Sequence, residues 1–155
     1  MSKQEALVQR ARIALDADPI TDKLWQGSQP PRGRAVAKYG FRTLVLCAFE
    51  VQPPSRSFPG VDVLRVPLDD SDRVLTSAEQ HRIIETANQM ARRMRYAPVL
   101  CTCAEGRNRS GLLNAVCLVL ATNHKSDYII EHIRRSRPRA MRNPNFVAFV
   151  RALQA

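Results

Sequence analysis

Two uninterrupted apolar runs constrain this chain most: Thr43–Ala48 (TLVLCA) and the strand-like stretch Pro98–Thr102 (PVLCT). A strand with one face in water alternates polar and apolar side chains, whereas a strand buried on both faces reads as a continuous apolar run. Such strands belong in the middle of a sheet with helices on both sides. The segments between them supply the helices. Gln4–Leu15 has helical periodicity behind Ser2 and Glu5, which are spaced as a capping box. Arg34–Tyr39 reads as a short helix stopped at Gly40. Thr76 and Ser77 stand three residues before Glu79 and Gln80, a helix start, and Ile83, Ile84, Ala87, Met90, Ala91 and Met94 then fall on one face. Further helices are expected over Ser110–Thr122, Lys125–Ser136 and Asn145–Leu153. Leu24–Gln26 and Val61–Val66 read as additional strands, with Pro67 opening a loop. Alternating strands and helices predict an α/β fold with a central, mostly parallel β-sheet flanked by α-helices. A chain of 155 residues suits a single domain, 1–155, with residues 1–18 as an N-terminal helical extension.

No apolar run is long enough to span a bilayer, and the N-terminus lacks a secretory h-region, so a cytoplasmic protein is expected. The 24 Lys+Arg against 14 Asp+Glu leave a formal charge of +10, a balance that favours anionic partners. The four cysteines, Cys47, Cys101, Cys103 and Cys117, have no zinc-finger spacing, and the three histidines do not complete one.

The chemistry concentrates in VLCTCAEGRNRSGLL, residues 99–113, which reads as a buried strand, a tight loop and a helix N-terminus. Successive N–H groups in such a loop converge into a concave nest for an anion, and the helix end adds partial positive charge. Gly106 permits a turn that a β-carbon would obstruct. Arg109 offers a planar fork that matches two phosphate oxygens. In that setting Cys103 is expected to be a thiolate, placed beneath a bound phosphoryl group for in-line attack. Ser110 is positioned to donate a hydrogen bond to the thiolate and to help it leave in a second step. Ala104, Glu105, Gly106, Arg107 and Asn108 would form the binding loop. The arginine and the nest supply the charge stabilisation that magnesium gives elsewhere, so neither a metal nor another cofactor is implied.

CAEGRNRSG resembles the signature loop of the protein tyrosine phosphatase superfamily, Cys-x5-Arg-Ser/Thr, most closely that of its dual-specificity branch. Leu24-Trp25-Gln26-Gly27 resembles the family's opening strand, VPLDD its general-acid loop, and IRRSRPRAMRNPNFVAFVRAL its C-terminal helices. The resemblance implies a phosphatase-type phosphate-binding loop between a buried strand and a helix. It also implies dephosphorylation of phosphotyrosine, and of phosphoserine and phosphothreonine, in proteins through a cysteinyl-phosphate. One position departs from the pattern: Thr102 stands where most members have a histidine that helps order the loop.

Aligned on the family, VPLDD puts the general acid at Asp70, with Asp72 as runner-up and Asp69 third. Cys47 occupies a place where some members keep a redox partner for the nucleophile. Cys101 and Cys103 are expected on opposite sides of their strand, and Cys117 in the core. Two alternatives stay open beside the protein phosphatase. Asn108 before the invariant arginine, together with the Arg-rich composition, suits an RNA 5′-triphosphatase or nucleotide phosphatase acting at an RNA 5′ end. Thr102 gives some weight to a phosphopeptide-binding pseudophosphatase. The oligomeric state is left open.

Overall fold

The computed structural model describes residues 1–154, and Ala155, the last residue of the expected domain, lies outside the described residues. Among these, five strands form one sheet: β1 (Ala17–Pro19), β2 (Leu24–Gly27), β3 (Thr43–Ala48), β4 (Asp62–Leu68) and β5 (Val99–Thr102). Their spatial order is β1-β2-β5-β3-β4. The edge strand β1 runs antiparallel to β2, and the other three pairings are parallel. The helices are α1 (Lys3–Leu15), α2 (Ala35–Lys38), α3 (Ser77–Arg93), α4 (Arg109–Ala121), α5 (Ser126–Ser136) and α6 (Pro144–Ala152).

The apolar runs behave as their composition demands. Leu44 and Leu46 of β3 pack with Leu100 of β5, Trp25, Phe41 and the α1 residues Ala11 and Leu15. Val45 and Cys47 face the other way with Val99 and Cys101, into a core closed by α3 to α6 through Ile83, Met90, Leu112, Val116, Ile130 and Phe146. Every residue of β3 and β5 is buried. Both sheet faces are therefore covered, which is why neither strand alternates. Segment 1–18 is helical to Leu15, and Ala17 and Asp18 then enter the sheet as the start of β1.

Both capping boxes form: Ser2 accepts from the Glu5 N–H and Thr76 from the Glu79 N–H, each glutamate reaching back in return. β4 runs to Leu68, two residues past the expected end at Val66. Pro67 is tolerated there because β4 is an edge strand paired only with β3, so one of its sides needs no N–H donor. Cys101 and Cys103 lie in the same core cluster, not on opposite sides, since positions two apart on an extended chain share a face.

The topology fixes the place for a ligand. The neighbours of β5 were laid down in opposite directions, β2 toward one edge and β3 then β4 toward the other. A crevice opens at the carboxyl end of a strand at such a switch point. The loop 103–108 leaves β5 there and runs into α4.

Candidate active site

The loop is shaped by backbone packing on β2. Gly106 has φ of +69°, and a β-carbon on it would lie 2.5 Å from the carbonyl carbon of Gly27 and 2.7 Å from the Ser28 nitrogen. Neither backbone atom can yield, so glycine is required for both the conformation and the approach. The Cys103 N–H donates to the Gly27 carbonyl at 3.2 Å, tying the start of the loop to the same strand end. Thr102, buried, donates its hydroxyl to the Val45 carbonyl at 2.9 Å and thus anchors β5 to β3 just before Cys103.

Asn108 precedes α4 yet does not cap it with its side chain. Its amide is used elsewhere: the oxygen accepts from the N–H groups of Arg142 (2.7 Å) and Asn143 (3.1 Å), and the nitrogen donates to Asp70 at 2.9 Å. With no side-chain cap, the first turn of α4 keeps N–H groups available to an anion.

A cleft of about 310 Å3 lies above the loop, lined by Glu50, Asp70, Cys103, Ala104, Glu105, Arg107, Asn108 and Arg109. Cys103 is buried at its floor, with its sulfur 3.3 Å from the Ser110 hydroxyl. Of the three candidate acids only Asp70 lines the cleft; Asp69 and Asp72 do not. Asn108 and the Asn143 amide (2.8 Å) each hold one of its carboxylate oxygens. Arg107 and Glu105 form an ion pair at 2.7 Å on the rim, so the extra positive charge inside the loop is matched locally.

Arg109 is the most committed side chain in the cleft. It donates to both oxygens of Glu50, at 2.5 and 2.9 Å, and to the Leu68 carbonyl at 2.9 Å. A guanidinium has five N–H donors in a fixed fork. Glu50 and Leu68 engage three of them, both on Nη1 and one on Nη2. The remaining two, on Nε and Nη2, share one edge and are spaced for two oxygens of a phosphate. Burial alone would lower the Arg109 pKa, but the Glu50 bond and the nearby Cys103 and Asp70 charges raise it above its ordinary value. The same bond is the main reason the Glu50 carboxyl lies below the usual range.

Glu50 gave no signal in the sequence, because it stands alone in the turn after β3 and meets Arg109 only through the fold, 59 residues apart. Asn143 was equally silent. Cys47 lies with its sulfur 3.8 Å from that of Cys101, and the register Leu46↔Thr102 sets it next in line with Cys103. Burial pushes the Cys101 thiol well above its ordinary value and that of Cys117 up to about 12. Among the described residues no three His, Cys, Asp or Glu side chains converge as a metal site. No helix of the described residues is long and apolar enough to cross a membrane.

No protein-family model matches the chain, and no curated protein sequence does. Solved structures do. Human DUSP28 is 25% identical, with a TM-score of 0.73 over 90% of this chain and 95% of its own. Tk-PTP in its active form is 20% identical, with a TM-score of 0.75 over 89% and 95% of the two chains. PTPMT1 in complex with PI(5)P is 21% identical, with a TM-score of 0.71 over 88% and 92%. The chain therefore has the fold of the protein tyrosine phosphatases, and the solved structures it resembles include dual-specificity phosphatases.

Proposed function

We propose that the chain is a cysteine-dependent phosphomonoester hydrolase acting on phosphorylated proteins, on phosphotyrosine and also on phosphoserine and phosphothreonine. The observation that carries this reading is the meeting of Cys103, Arg109 and Asp70 in one cleft at the carboxyl end of the central strand. In the first step the Cys103 thiolate attacks phosphorus in line with the leaving oxygen; a P–S bond forms as the P–O bond breaks. The free edge of Arg109 and the loop N–H groups hold the equatorial oxygens, where charge accumulates. Asp70 gives its proton to the leaving oxygen. In the second step Asp70 takes a proton from water, water oxygen bonds to phosphorus, and the P–S bond breaks. The Ser110 hydroxyl, 3.3 Å from the sulfur, stabilises the departing thiolate. Among the described residues no aromatic side chain lines the cleft, which supports dual specificity over a deep tyrosine-selective slot.

The test is hydrolysis of para-nitrophenyl phosphate by the wild type and by Cys103→Ser with EDTA present, followed by a panel of phosphopeptides. Metal-independent turnover that disappears in the variant is expected. A folded, reduced wild type without turnover between about pH 5 and 8, the range where such acid–base pairs operate, would refute the enzymatic reading.

A further inference from the structure

We infer that Arg137 is a positioning residue of this anion site: it holds the loop's carbonyls outward and thereby turns the loop's amides toward the cleft. The inference rests on reading the loop as a phosphate site. In a trans peptide the C=O and the N–H of one plane point in opposite directions. Anchoring the carbonyl of residue i on the outside therefore commits the N–H of residue i+1 to the inside.

The outside of the loop is anchored plane by plane. Arg137 Nε donates to the Gly106 carbonyl at 2.8 Å and Arg137 Nη2 to the Glu105 carbonyl at 3.0 Å. Buried Gln26 adds bonds to the Gly106 carbonyl at 3.1 Å and the Arg107 carbonyl at 3.3 Å. The Met141 N–H reaches the Arg107 carbonyl and the Gln29 N–H the Ala104 carbonyl, each at 3.4 Å. The partner amides of these four carbonyls belong to residues 105–108, and among the described residues none of them donates to a backbone acceptor. Four adjacent N–H groups are thus left for a ligand, as a nest requires.

Of these anchors only Arg137 carries charge. Its Nη1 donates to Asp18 at 2.9 Å and to the Asp16 carbonyl at 3.3 Å, and its side chain is 12% exposed. The acidic partner on β1 keeps the guanidinium aimed at the loop, and Arg12 of α1 pairs with the same Asp18 at 2.8 Å. A planar fork spans two adjacent carbonyls and a carboxylate at once, which a lysine ammonium cannot do in that geometry. Arg137 sits in an arginine-rich stretch whose other members are spent differently: Arg134 binds Glu131 and the Met141 carbonyl, and Arg142 the Pro138 carbonyl.

The experiment measures calorimetric binding of inorganic phosphate and of tungstate to the parent, R137M, R137K and D18N, with circular dichroism and melting curves alongside. Loss of a preorganised donor in an oxyanion site costs about 100-fold or more in rate, and a loosened donor less, so R137M is expected to bind phosphate about tenfold more weakly. R137K should recover part of that loss, and D18N should move in the same direction by less. With para-nitrophenyl phosphate, R137M should show a raised KM together with a lowered kcat. An R137M protein that melts cooperatively and binds phosphate within about twofold of the parent would overturn the inference, since a single lost charge-assisted bond exceeds that. If R137M does not fold, R137K decides on the same criterion. A parent that binds phosphate with this variant pattern but turns nothing over would leave the inference standing and remove the enzymatic reading; a parent that binds no phosphate would remove the inference itself.

Discussion

Replacing Glu50 by glutamine separates two roles for the carboxylate that grips Arg109. In one, Glu50 competes with phosphate for the arginine, and its removal should raise kcat/KM. In the other, it holds the guanidinium so that the Nε–Nη2 edge faces the substrate. The donor count favours the second, because Glu50 and Leu68 take three donors and leave a complete two-donor edge free. The magnitudes follow from the same geometry. Glutamine keeps one acceptor but turns an N–H2 against Nη2, losing one charge-assisted bond; with Glu50 about half exposed, the stability cost is about 1 kcal/mol. Removing a negative charge roughly 7 Å from the phosphate, across the guanidinium, favours a phosphate dianion by about 1 kcal/mol in all at the water-like dielectric of an open cleft, so KM should hold or fall by about fivefold. Loosening the arginine should lower kcat by about 10- to 100-fold, below the effect of deleting a transition-state donor. Steady-state kinetics on para-nitrophenyl phosphate, with melting curves, reads all three quantities. An unchanged kcat, or a rise in kcat/KM, would refute the positioning argument. Because Arg109 holds the Glu50 carboxyl below its ordinary range, the wild-type rate profile between about pH 5 and 8 should contain no Glu50 step.

Three further outcomes are expected. Asp70→Asn should flatten the alkaline side of the kcat/KM profile, where a general acid loses its proton, and cut turnover on poor leaving groups, while Asp72→Asn should not; the reverse pattern would reassign the acid. The Glu79 carboxyl, at the start of α3, is lowered from 4.5 to about 2, first by its bond from Arg73 and then by the Thr76 cap. A folded value below the unfolded one means stability that is full above pH 4.5 and is lost as pH falls toward 2, so Glu79→Gln should melt lower at pH 7 and converge with the wild type near pH 2. Mild peroxide should yield a Cys47–Cys103 linked peptide by mass spectrometry; a Cys47–Cys101 peptide instead would move the redox pair one residue pair along the sheet.

Much of the fold could be read from local pattern because the forces that set it are local. Burial on both faces shows in TLVLCA, and the caps show in Ser2–Glu5 and Thr76–Glu79, where donor and acceptor are three residues apart. The loop 103–109 was legible for the same reason: its cysteine, glycine and arginine lie within one short segment. Pro67 misled, because whether a proline ends a strand depends on which neighbour needs its N–H, and strand order is not written locally. Glu50 and Asn143 were invisible as site residues, and Arg137 stood out only as one of an arginine-rich stretch, not as a partner of the loop. Each is an ordinary polar residue in its own segment and acquires its role only when a second segment, 31 to 73 residues away, arrives with a matching donor or acceptor.

The bare contact between Gly106 and Gly27 has a consequence for engineering. Backbone presses on backbone there, so the loop carries no side chain that could take up slack against a different host strand. The nine residues Cys103–Gly111 are therefore not a portable cassette. A scaffold receiving them must also supply a neighbouring strand end at the same height, its bare backbone against Gly106 and its carbonyl turned toward the first loop amide. The transplantable unit is two adjacent strand ends and the loop between β5 and α4, and a graft of the loop alone should lose its shape before it loses its sequence.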